Sequence, residues 1–340
     1  MTDLYPLLLI PVFDERPWGT RDLRPIYTRV VGKEPIGESW VAGDICKIAN
    51  GPLAGQTLGA LCEKFGARLV GETAPYKDRF PLLSKFLFPR DNLSVQVHPD
   101  DAAAKKLSLP NGKTECWYVV RALPDAKIGV GLRPGTTPEQ FVKTVVDGGA
   151  AEELLQWIPV RVGDLFFIGG GTVHAIGPGS ILIETQQNSD TTFRLYDYGR
   201  PRELQIDKGL AAMSANPKAG RVERKAVGGH EELIASPCFV VERYKSTEPL
   251  PLRAAANGAA AQVLVVAEGS AAIECAGSQP VSFNAGEAVV IPAEIGDVTV
   301  RPQWSVEFLR AYVPAAGVAE PVMQPRTERD ARESGRSHSG

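Results

Sequence analysis

Only four histidines occur in the 340 residues, and two of them, His98 and His174, sit where their side chains could do chemistry. His98 ends the alternating run Ser94-Val95-Gln96-Val97-His98, ahead of Pro99-Asp100-Asp101, and His174 follows Gly169-Gly170-Gly171-Thr172-Val173. Between them stands Lys113-Thr114-Glu115-Cys116-Trp117. In an extended chain alternate side chains share a face, so Gln96 points with His98 and Lys113 with Glu115. Two imidazoles, a carboxylate and an amide oxygen suit the inner coordination of a divalent metal ion. Of these donors the amide of Gln96 is the weakest for zinc.

Such donors need strands to hold them, and the chain supplies many. Glycine and proline, 34 and 27 in number, are spread evenly, as befits short strands joined by turns. Strands are expected at 93–97, 115–121, 126–131, 164–168, 180–186 and 192–197. A second series is expected at 238–245, 261–267, 270–275, 281–283, 287–291, 297–300 and 304–312, with a hairpin opening at Glu268-Gly269-Ser270. Helical character is confined to 53–72 and to 136–158, where Thr137 caps a helix starting at Pro138 and a further short helix is expected over 151–158. The phrase Arg161-Val162-Gly163-Asp164-Leu165-Phe166-Phe167-Ile168 returns as Asn284-Ala285-Gly286-Glu287-Ala288-Val289-Val290-Ile291, without a following histidine. The implied architecture is mainly β: two barrels, 1–235 with the metal-binding residues and the helical insertion, and 236–318 without metal. A polar tail over 319–340 is expected to be disordered.

A net charge of −3 provides no electrostatic case for nucleic acid or an acidic membrane surface. No apolar run approaches transmembrane length. The N-terminal Leu7-Leu8-Leu9-Ile10 is short and bracketed by prolines, so it reads as an opening strand rather than a signal peptide. Five dispersed cysteines without CxxC spacing read as reduced thiols of a cytoplasmic protein. Oligomeric state leaves no mark in the sequence.

Repeated turn–strand phrases with ligands on separate strands resemble the cupin superfamily. The ordered series Gln96-Val97-His98-Pro99-Asp100-Asp101, Lys113-Thr114-Glu115-Cys116-Trp117-Tyr118, Gly171-Thr172-Val173-His174-Ala175 and Glu184 through Asp197 narrows the likeness. With Pro17-Trp18-Gly19 and Gly37-Glu38-Ser39-Trp40, it resembles the type I phosphomannose isomerases in their short bacterial form, over roughly residues 10–315. The resemblance implies two cupin-type β-barrels (jelly-roll, double-stranded β-helix). It also implies one zinc ion per chain, held by Gln96, His98, Glu115 and His174, and interconversion of mannose 6-phosphate and fructose 6-phosphate.

That chemistry moves a proton between adjacent carbons through an enediol or enediolate, so it needs a base, a stabiliser for the oxyanion and an anchor for phosphate. Arg194, Lys113 and Glu184 are the catalytic candidates. Arg194 matches a family active-site arginine, whose guanidinium could bind phosphate or stabilise the enediolate. Glu184 aligns with an acidic residue linked in the family to proton handling or ring opening, and after Ile181-Leu182-Ile183 it is costly to bury without purpose. Lys85, which matches a family lysine, joins Ser189 and Asp190 as substrate-binding candidates. Structural roles compete with these: a salt-bridged arginine, a solvated turn lysine, a lysine snorkelling outward. The catalytic base stays open among Lys113, Glu184, His98 and a metal-bound water.

Other features read more plainly. Trp18 and Trp40 suit core packing as well as a site wall. Gly169-Gly170-Gly171 is a tight turn rather than a nucleotide-phosphate loop, since no helix or Gly-Lys-Ser/Thr follows. His230 and His338 lie in polar contexts and are expected to be exposed. Alternative functions are an isomerase of another phosphorylated or free sugar, an iron-dependent cupin oxygenase, or a non-catalytic sugar-binding protein.

Overall fold

Strand periodicity sorts the apolar residues into four packed clusters, and the layers follow from them. The computed structural model describes residues 4–28, 34–214 and 216–324. In strand Glu115–Ala122, Trp117 and Val119 face one core while Cys116, Tyr118 and Val120 face another. Strand Leu165–Ile168 divides likewise, Phe166 and Ile168 against Leu165 and Phe167. These strands are therefore buried on both faces, which explains their unbroken apolar runs.

A seven-stranded sheet carries Ala219–Arg221, Leu165–Ile168, Glu115–Ala122, Ser180–Gln187, Leu82–Leu87, Ile36–Ala42 and Val12–Thr20. Facing it, a five-stranded sheet carries Phe193–Tyr196, Val95–Val97, His174–Ile176, Lys127–Leu132 and Leu155–Pro159. Trp117, Phe166 and Leu182 of the first meet Ile128, Val130 and Ile176 of the second. On its outer face the five-stranded sheet is covered by Phe141 and Val145 of helix Pro138–Val146 and by Ala212 of helix Ile206–Ala212. Thr137 and Gln140 form a reciprocal capping box at the start of the former helix.

The outer face of the seven-stranded sheet packs on a ten-stranded sheet built mostly from the second half of the chain. There, Val263 and Val265 point to this shared core, while Leu264 and Val266 point with Phe283 and Phe308 into a core of their own. All strand pairs within the sheets are antiparallel. The opening strand Leu7–Ile10 forms as expected and pairs with Ala288–Ile291 (Leu7 opposite Val290), tying the first residues to the second half.

Several expectations need correction. Residues 151–158 are not helical throughout: a 3-10 turn over Ala151–Leu154 gives way to strand Leu155–Pro159, with Ile158 opposite Ile128. Burial of Leu155 and Ile158 against the sheet outweighs the helix-forming residues before them. The hairpin expected at Glu268-Gly269-Ser270 forms, with Ser270 opposite Asn284 and Ile273 opposite Val281, but its first arm is not a separate strand: Gln262–Glu274 is one strand with bulges, as is Val298–Tyr312. Gly269, at φ +80°, sits at such a bulge, and a Cβ there would meet Ser305 O at 2.0 Å. Helical character at 53–72 resolves into helices Leu58–Phe65 and Ala67–Val70, broken at Gly66. His230 is half-buried and stacks on Tyr244 with centroids 4.7 Å apart. Of the 319–340 tail, residues 325–340, His338 among them, lie outside the described residues, while Met323 forms a bridge with Val222.

Candidate metal centre and its cavity

Strand register assembles the site. Gln96 lies opposite His174 on one side and Arg194 on the other, in the five-stranded sheet. In the seven-stranded sheet Glu184 lies between Trp117 and Lys85, and Lys85 lies opposite Trp40. Residues directly opposite in a ladder share a face, so each row projects one way.

Ligand atoms of His98, Glu115 and His174 all fall within 4.8 Å of one another, and all three residues are buried. Nε2 of His98 is 3.5 Å from Glu115 Oε2, and Nε2 of His174 is 3.4 Å from Oε1. Each imidazole meets a backbone carbonyl at 2.9 Å through Nδ1, His98 at Thr191 and His174 at Thr172. Neutral rings donating at Nδ1 present Nε2 as a lone pair. Burial, then the charge of Lys113, pushes His98 down to about 3, and burial also lowers His174, so both rings are neutral. Burial alone would raise Glu115, but Lys113 and His98 outweigh it and hold the carboxyl well below the usual range. Neither oxygen of Glu115 accepts a well-aligned hydrogen bond, although Lys113 Nζ lies 3.0 Å from Oε2. Lys113 offsets this buried charge in part, yet both carboxylate oxygens lack an aligned donor and each faces an imidazole Nε2 at 3.4–3.5 Å, an arrangement that a shared cation would complete. The residues fit a metal ion.

Gln96 reaches the same place through its amide: Nε2 is 3.1 Å from His174 Nε2, and Oε1 accepts from Ser94 Oγ at 3.1 Å. Turning the amide by 180° would offer its oxygen instead. The glycine turn behaves as expected. Gly171, at φ +83°, donates to His98 O at 2.7 Å, and a Cβ on Gly170 would meet Asp100 Cα at 2.5 Å.

A cavity of about 380 Å³ opens beside this centre, with Gln96, Lys113, Glu184, Lys85, Arg194 and Asp190 on its walls. Lys113 Nζ lies 3.2 Å from His98 Nε2 and 3.7 Å from Glu184 Oε1. Lys85 Nζ bridges Glu184 Oε1 at 3.3 Å and Glu38 Oε2 at 3.1 Å. Burial pulls the Lys85 ammonium down, but Glu184 and Glu38 outweigh it and leave its pKa raised. Burial raises Glu184 above the ordinary carboxylate value, despite its two lysine neighbours. At the mouth, Arg194 is lowered by burial and by nearby Arg202, and its Nε is buried without a hydrogen-bond partner. Ser189 does not line the cavity; its hydroxyl accepts from Thr191 N at 3.4 Å.

Sequence reasoning missed three members. Trp117 donates its indole N–H to Glu184 Oε2 at 3.2 Å and sets its ring against His174. Its place two residues after Glu115 was the available signal. Glu38 and Arg16, paired at 3.1 Å, also line the cavity, and nothing local in sequence links either to Lys85. Trp18 proves to be both core and wall.

Residues 7–118 match the family described as phosphomannose isomerase type I, catalytic domain. A probable mannose-6-phosphate isomerase of Bacillus subtilis, GmuF, is 37% identical over 325 residues, covering 91% of this chain and 99% of that protein. The chain belongs to the type I phosphomannose isomerase family. ManA, a mannose-6-phosphate isomerase of the same organism, is 42% identical over 217 residues, 60% of this chain and 67% of that one. The crystal structure of the mannose 6-phosphate isomerase from Bacillus subtilis superposes with a TM-score of 0.79 at 30% identity, covering 90% of this chain and 99% of that one. This phosphomannose isomerase relative is accordingly mainly β, its antiparallel sheets matching the cupin fold of that structure.

Proposed function

We propose that the chain interconverts mannose 6-phosphate and fructose 6-phosphate, with one zinc ion held by His98, Glu115 and His174 and by the amide oxygen of Gln96. The observation that carries this reading is the buried two-histidine, one-carboxylate centre opening onto a cavity walled by Lys85, Lys113, Glu184 and Arg194. Imidazole and carboxylate donors suit zinc, and few protein ligands leave a position for substrate. Bound there, the ion would act as a Lewis acid toward the sugar's carbonyl and hydroxyl oxygens.

The protein's own groups supply the rest. Glu184, raised in pKa and 3.7 Å from Lys113 at its Oε1, forms with it a pair suited to moving a proton between adjacent carbons. Lys85 holds Glu184 from the side away from Trp117. Arg194, at the far edge of the Gln96–His174 row, offers an unpaired Nε and suits the phosphate or the enediolate oxygen. Asp190 lies on the same wall and suits a sugar hydroxyl. Ser189 acts through the loop rather than by touching substrate. Residues 1–235 are assigned to the catalytic unit and 236–318 to a second barrel that buttresses it, with strands Leu7–Ile10 and His230–Ala235 crossing over to pair in the ten-stranded sheet. Five free thiols suit a reducing, cytoplasmic setting.

Purified protein should turn over mannose 6-phosphate, lose activity to a chelator and regain it with zinc. Inorganic phosphate should compete with the substrate, and free mannose should be poor. Turnover of free mannose insensitive to phosphate would favour an unphosphorylated sugar. No turnover by fully metallated protein would overturn the reading.

A further inference from the structure

The turn Pro99-Asp100-Asp101 and Gln187, motif residues without a role so far, meet at the loop that carries Lys113. Three consecutive amides of that loop are each held from outside it. Gly112 N donates to Asp101 Oδ1 at 2.8 Å, Lys113 N to Pro99 O at 2.9 Å, and Thr114 N to Gln187 Oε1 at 2.8 Å. Gln187 Nε2 in turn donates to Asp101 Oδ1 at 3.1 Å, closing the two side chains into one clamp. Gln187 N also donates to Thr114 O at 3.0 Å. Gly112 packs so closely that a Cβ would meet Asp100 C at 2.6 Å. The clamp therefore joins the chain just after His98, the end of the Glu184 strand and the start of the Glu115 strand. A second cavity, of about 630 Å³, reaches Asp101 and Gln187 from behind, while Lys113 lines the smaller one.

The geometry points to Asp101 and Gln187 as positioning residues that fix Lys113 against His98, Glu115 and Glu184. This rests on the isomerase reading above. Asp101 and Gln187 contact none of the ligand side chains, but the clamp adjoins His98 at Pro99 and Glu115 at Thr114, so zinc content must be read beside kcat to separate the ammonium's place from the metal's. Asp100, not Asp101, caps helix Asp101–Lys106, so removing the Asp101 carboxylate leaves the helix start intact.

The test uses Asp101→Ala, Asp101→Asn, Gln187→Leu and the double variant Asp101→Ala/Gln187→Leu in the zinc-loaded full chain. Asp101→Ala and Gln187→Leu should each lower kcat roughly ten- to a hundredfold with KM changed by less than about twofold, as expected for misplacement of a reacting group. Asp101→Asn, which keeps an acceptor at the Oδ1 position, should restore kcat to within about threefold, and the double variant should lose little more than either single one. Metal content should match wild type, and hydrogen exchange of the Gly112 and Thr114 amides should speed up about tenfold or more in the two damaging variants. Unchanged kcat and exchange, or a loss of kcat that tracks lost zinc or raised KM, would overturn the assignment. Should wild-type protein with full zinc fail on mannose 6-phosphate, the isomerase reading falls, and the exchange rates alone still decide whether the clamp holds the loop.

Discussion

Lys85 and Glu184 stand directly opposite each other across an antiparallel pair, with Nζ 3.3 Å from Oε1, both buried on the cavity wall. The lysine is held charged by two carboxylates, whereas the glutamate is left with a raised pKa. Glu184→Gln keeps the shape and removes the carboxyl proposed to carry the proton, so kcat should fall about a hundredfold or more with zinc retained. Steady-state kinetics with metal analysis checks this.

Removing the cation is a different matter. Lys85→Met leaves Glu38 and Glu184 buried without their shared partner, and breaking such a buried pair costs about 3–5 kcal/mol. Urea unfolding of Lys85→Met, alone and with Glu184→Gln, should show the second change recovering part of the loss.

Metal binding should stabilise the fold. At a free zinc concentration a hundredfold above Kd the gain is about 3 kcal/mol. His174→Ala removes one of the three clustered ligands and should abolish most of the zinc-dependent rise in Tm. An equal rise in wild type and variant would argue against this centre.

Glu38 gives a pH dependence with a definite sign. Burial would raise its pKa, but Lys85 and Arg16 outweigh that and lower it from 4.5 to about 2. The ionised form is thus favoured in the folded state, so the contribution is complete above the unfolded value and disappears as pH falls through the folded one. It amounts to roughly 3 kcal/mol, lost between about pH 4.5 and 2. Unfolding free energies should fall less steeply across that window for Glu38→Gln than for wild type.

Tyr118 links the two halves of the chain: its hydroxyl donates to Glu307 Oε1 at 2.8 Å, and Glu307 also accepts from Arg243 Nε and Nη2 at 3.0 Å each. Tyr118→Phe should cost about 1 kcal/mol, because Arg243 still satisfies the carboxylate. Glu307→Leu strands the buried Tyr118 hydroxyl and leaves Arg243 only Glu231, at 2.6 Å, so it should cost about 2 kcal/mol. Calorimetry of the two variants would show whether the order holds.

The parts of the site that could be read in advance are those set by spacing of two. Gln96 with His98, and Lys113 with Glu115, share faces because alternate strand residues do. Glu38, Arg16 and Trp117 escaped because their partners are cross-strand neighbours. Glu38 meets a lysine 47 positions away, a relation that no local pattern carries. For the fold, strand Leu155–Pro159 was hidden by residues that form helix equally well, until a place beside Lys127–Leu132 decided the matter. The bulges at Val266 and Gly269 escaped for a related reason, since a glycine that ends one strand looks like a glycine that kinks a longer one.

By itself, then, the sequence determined the donor types of the metal centre, the β character of the scaffold and the motif order that marks the family. Those depend on residue identity and on short-range geometry. Tertiary structure alone decided which carboxylate answers which lysine, where the cavity opens and what holds Lys113 in place. Each of these depends on strand register between distant segments, and register is fixed by packing a sheet face into the core, since a slip of one residue would turn the buried set outward.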